Sequence, residues 1–85
     1  MEETRIYDST VFKDALVGNI LKEVVEILSE RGYNPINQIV GYLMSGDPGY
    51  ISSYKDARNK IQEVDRSKIV EILLGDFRKN NKWNT

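Results

Sequence analysis

At 85 residues and a net charge of −1, the chain has room for one domain with a barely sufficient core, and it lacks the basic balance of a nucleic-acid binder. Cysteine and histidine are both absent, which excludes disulfides, thiolate metal sites, a cysteine nucleophile and the commonest general base. With 40% hydrophobic and 29% charged residues the composition is that of a folding soluble chain, and no apolar run nears the ~20 residues of a membrane span.

The start, Met-Glu-Glu-Thr-Arg, does not read as a signal peptide, so the expectation is a cytoplasmic protein without membrane insertion. A chain this small gains buried apolar area by self-association, so a dimer is expected.

Residues 1–10 are polar and without helical periodicity, and read as a flexible arm whose Ile6 and Tyr7 dock on the body. Thr4 follows the acidic pair Glu2-Glu3 and precedes Arg5-Ile6; Ser9 and Thr10 are the arm's other small hydroxyls. An unmodified solvated tail is the commoner role of such a segment.

A helical domain is expected over 11–80. From Val11 to Arg31 the positions Phe12, Leu16, Ile20, Val24 and Leu28 step by four, flanked by Ala15, Leu21, Val25 and Ile27, which predicts a long helix with a broad apolar stripe. Asp8, Ser9 or Thr10 would cap its start, and Gly32 its end. Gly18 interrupts the stripe and suggests a close helix crossing.

Asn34 is a strong N-cap and Pro35 suits the first helical position, so a short helix follows with Ile36, Ile39, Val40 and Leu43 as its apolar face. Gly41 would let a neighbouring backbone or ring approach, and Asn37 and Gln38 read as a solvated face, with a buried amide contact at an interface as the alternative. Gly46 stops this helix and Asp47-Pro48 starts another turn. The run Ser45-Gly46-Asp47-Pro48-Gly49 lacks the Lys-Ser/Thr of a phosphate-binding loop and follows no strand, so it reads as a helix stop and turn. Tyr50 and Ile51 are expected to fold back on the core.

Ser53-x-x-Asp56 resembles a capping box and predicts a helix over Tyr54 to Val64, solvated and basic on the side of Lys55, Arg58 and Lys60. Asp65 would cap a last helix from Arg66 to about Lys79, with Ile69, Val70, Ile72, Leu73 and Phe77 facing inward. Residues 81–85 form a polar tail containing Trp83. No segment alternates like a confident strand, so the fold class is all-α, a small compact bundle of four to five helices.

The stretch Gly-Tyr-Asn-Pro-Ile-Asn-Gln-Ile-Val-Gly-Tyr-Leu-Met-Ser-Gly-Asp-Pro-Gly-Tyr-Ile, residues 32–51, followed by Lys-Asp-Ala-Arg-Asn-x-Ile at 55–61, resembles the IreB/ReoM family of small proteins from Gram-positive bacteria. The similarity extends over nearly the whole chain. It implies a helical homodimer without enzymatic activity or cofactor, and a substrate of a membrane Ser/Thr kinase with extracellular PASTA repeats. The kinase would phosphorylate a threonine of the N-terminal arm, which Thr4 matches. The resemblance further implies control of cell-wall synthesis and cephalosporin tolerance. In the best understood branch this control acts through proteolysis, by a Clp machine, of the enzyme that begins peptidoglycan precursor synthesis. Arg58 and Arg66 match basic positions of the family's surface and, with Lys55, are the expected partner or phosphate contacts. Ser53, Gln62 and Glu63 stand where members usually carry basic residues.

Two other readings compete. Pro35 to Met44, the turn and a following reader helix fit a DNA-binding helix-turn-helix, which the acidic balance opposes. An enzyme would have to work with carboxylates and lysines, and no paired-acid constellation stands out.

Overall fold

The computed structural model describes residues 9–81, so Thr4, Ile6, Tyr7 and Trp83 lie outside the described residues. Within them the chain forms α1 (Ser9–Glu30), α2 (Pro35–Ser45), α3 (Ala57–Ile61) and α4 (Arg66–Asn81), with 3₁₀ turns at Pro48–Tyr50 and Tyr54–Asp56 and no strand. The expected all-α bundle is the fold. Ser9 and Thr10, assigned above to the arm, are helical, and α4 runs through Asn80 to Asn81.

α1 is the axis on which α2, α3 and α4 pack. Its buried residues are Val17, Leu21, Val24, Ile27 and Leu28, whereas Leu16 is 48% exposed and Ile20 only partly buried. Of the row stepping by four, Val24 and Leu28 are fully buried, so it faces inward only in the second half of the helix. Each step of four overshoots a full turn by about 40°, so such a row winds around the helix, and a straight stripe alternates steps of three and four. Ile39 and Tyr42 from α2, Ile51, Ala57 and Ile61 from the α3 region, and Ile69 from α4 complete the core.

The chain turns where local chemistry demands it. Gly32 (φ 88°) ends α1: its N–H donates to Ser29 O (3.0 Å) and the Tyr33 N–H to Leu28 O (2.9 Å), the paired bonds of a Schellman cap. Asn34 Oδ1 accepts the Asn37 N–H (3.1 Å) and Pro35 opens α2. At the other end Gly46 (φ 78°) donates to Tyr42 O (2.7 Å). Asp47 then caps the first 3₁₀ turn by accepting the Gly49 N–H (2.8 Å). The Tyr50 ring lies over Gly41, where a Cβ would come within 2.8 Å of Tyr50 Cε1, so Gly41 does admit an aromatic ring. Tyr50 itself stays half-exposed while Ile51 is fully buried. Gly18 marks no crossing, since nothing lies within 4 Å of where its Cβ would be.

The continuous helix expected over Tyr54 to Val64 does not form. Ser53 makes no side-chain capping bond, and Lys55 (φ 46°) and Asp56 (φ 67°) take left-handed conformations before α3 starts at Ala57. Burial of Ile51, Ala57 and Ile61 against the core fixes the chain on both sides of this break, where Lys55 also reaches Glu30 on α1 and Asn59 Nδ2 donates locally to Asp56 Oδ1 (2.8 Å). Ser52, not Ser53, accepts the Tyr54 N–H (3.1 Å).

Candidate interaction surface

The three basic residues expected to meet a partner are each engaged within the fold, at different places. Lys55 Nζ lies 2.8 Å from Glu30 Oε2, and Tyr54 donates its hydroxyl to the same oxygen at 3.3 Å. The hydrogen bond from Lys55 holds the Glu30 carboxyl below its ordinary pKa, and the same bond raises that of Lys55. Arg58 Nε donates to Ile51 O (2.9 Å) and pins the loop ahead of α3. Arg66, the first residue of α4, donates from Nη1 to Leu43 O (2.9 Å) and lays its guanidinium against Gly46, closing the C-terminal end of α2.

A charge pattern follows along α1. Asp14, Glu23 and Glu30 bind Lys68 (3.3 Å), Lys60 (3.1 Å) and Lys55 (2.8 Å), lysines that lie after α2 in the chain. Lys68 also meets Glu71 at 3.0 Å, and the hydrogen bonds it donates to Glu71 and then to Asp14 raise its pKa. These lysines are neutralised from within. Arg58 and Arg66, in contrast, donate to backbone carbonyls, so they retain a positive charge that can meet an anion.

Gln38 departs from the solvated reading. Its Oε1 accepts the Ser52 N–H at 2.9 Å in a part-buried contact and ties α2 to the loop that follows it, while Asn37 is exposed as expected.

The larger surprise is apolar. Of the inward face expected for α2, Ile39 is buried and Leu43 partly so, but Ile36 is 72% exposed and Val40 half-exposed. On α4 only Ile69 is buried; Val70, Leu73, Leu74 and Phe77 stand out toward solvent. Leu21 and Val25 of α1 form the floor of an apolar groove, with Ile36 and Val40 of α2 and Leu73 of α4 in its walls. Sequence reasoning missed this because the α2 and α4 stripes are wider than the strip that α1 covers. That excess width was the available signal.

The helix-turn-helix reading needs a reader helix after the turn. The chain there forms two 3₁₀ turns and the five-residue α3, too short to cross a major groove. Among the described residues no helix is long and apolar enough to cross a membrane.

A family model described as IreB regulatory phosphoprotein matches residues 2–79. The match takes in all four helices up to the last turn of α4, together with the segment holding Thr4. The chain belongs to the IreB family of regulatory phosphoproteins.

Proposed function

We propose that the protein is a non-enzymatic, cytoplasmic, homodimeric regulator, phosphorylated on Thr4 by a PASTA-type Ser/Thr kinase, that controls peptidoglycan synthesis and with it cephalosporin tolerance. The observation carrying this reading is the family match, which begins at residue 2 and so includes Thr4 in its Glu-Glu-Thr-Arg-Ile-Tyr setting. Phosphate adds about −1.5 to −2 charges and three strong acceptor oxygens to that segment, enough to make or break a protein contact. Arg58 and Arg66 are the cations we assign to a partner, since among the described residues each donates to a backbone carbonyl and neither to a carboxylate. The output follows from the resemblance: a change in Clp-dependent turnover of the enzyme that begins peptidoglycan precursor synthesis, directly or through a protease adaptor.

The test is fragment mass spectrometry after incubation with the cytoplasmic domain of a PASTA kinase from the same organism. A single phosphate on Thr4, absent from Thr4→Ala, is the expected result. No phosphate, or phosphate confined to residues of the folded body, would overturn the assignment.

A further inference from the structure

Two neighbouring residues hold backbone conformations that side chains resist. Lys55 (φ 46°, ψ 35°) and Asp56 (φ 67°, ψ 20°) are both left-handed, and among the described residues they are the only non-glycine positions with positive φ. A left-handed lysine is costly, and a left-handed aspartate only somewhat less so. The local sequence favours the opposite shape. In a straight helix from Tyr54 the Ser53 hydroxyl would accept the Asp56 N–H and Asp56 would reach back to the Ser53 N–H, yet here Ser53 is exposed and makes no side-chain capping bond. From this conflict we infer that residues 52–56 are a two-state joint. The bent form exchanges with a minor form in which α3 runs straight back to Tyr54, and straightening releases Arg58 from Ile51 O.

The opposing forces are of similar size and act on different residues. Ala57 and Ile61 are four apart on one face of α3, so they stay buried in either form. Straightening gives up the burial of Ile51, at 0% exposure, together with the Ser52 N–H bond to Gln38 Oε1 (2.9 Å) and the Arg58 bond to Ile51 O (2.9 Å). The pair of Lys55 with Glu30 is lost as well, but both side chains are about half-exposed and it weighs little. In return two left-handed residues relax and the first turn of the helix is capped. One buried isoleucine with two hydrogen bonds exceeds that gain by a margin small enough to leave a minor form, roughly one molecule in a hundred.

The consequence concerns Arg58. In the bent form its Nε is engaged by Ile51 O, which leaves Nη1 and Nη2 for an anion. In the straight form Ile51 no longer folds beside α3, and the edge made by Nε and Nη can take a carboxylate or phosphate with two parallel bonds. An anionic group bound to this edge therefore draws the joint straight. That half of the inference rests on the reading that Arg58 meets a partner; the exchange itself does not.

Nitrogen-15 relaxation dispersion on the full chain tests the joint, because it detects minor forms exchanging in microseconds to milliseconds. The amides of Tyr54 to Ala57 should disperse together, and the minor-form Cα shifts of Lys55 and Asp56, read by saturation transfer, should be helical. Lys55→Gly combined with Asp56→Gly suits the bent form and disfavours the helix, so the minor population should fall at least about tenfold and the dispersion vanish. Ile51→Val trims the burial that opposes straightening without emptying the core, and should raise the population about fivefold. The Arg58 Nε resonance should disperse with the same rate constant as the amides. Flat profiles in both the parent and Ile51→Val, dispersion that survives the glycine pair, or random-coil shifts in the minor form would overturn the joint. An Nε resonance that stays flat while the amides exchange would overturn the release of Arg58. Neither readout needs a partner or a kinase, so failure of either stays distinct from failure of the phosphorylation test above.

Discussion

Individual residues act here through backbone geometry more than through charge. Gly46 has φ 78° and carries the Arg66 guanidinium where a Cβ would sit, 2.9 Å from Nη2. Gly46→Ala should therefore cost about 1–2 kcal/mol from the left-handed conformation alone, with displacement of Arg66 adding to it. Gly18 offers the opposite case. It lies inside α1 with a helical backbone and open space where a Cβ would be, so Gly18→Ala should stabilise by about 0.5–1 kcal/mol. Urea unfolding of the two variants beside the parent checks both signs, and a Gly46→Ala midpoint equal to that of the parent would refute the strain argument. The ion pairs along α1 deserve less weight. Each joins partners that are at least partly exposed, a class worth about 0–1 kcal/mol.

Among the elements, α2 is the piece whose placement decides the surface, and it is only 11 residues long. Isolated helices of that length are marginal in water, so contacts with the rest of the molecule must hold it. Ile39 and Tyr42 supply the burial, Arg66 closes its end, and Gln38 binds the loop through the Ser52 N–H. Gln38→Ala would leave that part-buried N–H without its acceptor and should cost about 1–3 kcal/mol, while Asn37→Ala, one residue away on the exposed side, keeps its backbone N–H bond to Asn34 and should stay near the ~0.5 kcal/mol of an ordinary surface change. Thermal unfolding of the pair distinguishes the two, since equal losses would mean that Gln38 has no special part. The stops and starts of α2 were legible in the sequence because Asn34, Pro35, Gly46 and Asp47 impose their geometry within a few residues. The break at Lys55 and Asp56 was not, because Ile51, Ala57 and Ile61 are buried against distant elements of the core while Ser53-x-x-Asp56 locally favours a continuous helix.

At the scale of the whole molecule, periodicity identified apolar stripes correctly but could not say which part of a wide stripe meets its own chain. Ile39 of α2 and Ile69 of α4 are buried, while Ile36, Val40, Val70, Leu73 and Leu74 keep 41–72% of their surface exposed. Scattered exposed apolar residues need no explanation, but here Ile36, Val40 and Leu73 line one groove, and Val70 and Leu74 share a helical face with Leu73. A second copy of the chain is the occupant we assign, because the same family resemblance that identifies the regulator implies a homodimer, and an isologous contact would bury both copies' faces at once. Ile36→Asp and Leu73→Asp then become the decisive substitutions. Ile36 is 72% exposed, so a carboxylate there has little effect on the monomer's core, yet it would be desolvated without a partner in a dimer. Sedimentation equilibrium should find the parent dimeric and each variant weakened at least about 100-fold, the ~2.8 kcal/mol expected of a central interface residue, with the helical circular dichroism unchanged. A parent that sediments as a monomer at every concentration, or an Ile36→Asp variant that dimerises as tightly as the parent, would mean that this face serves another partner.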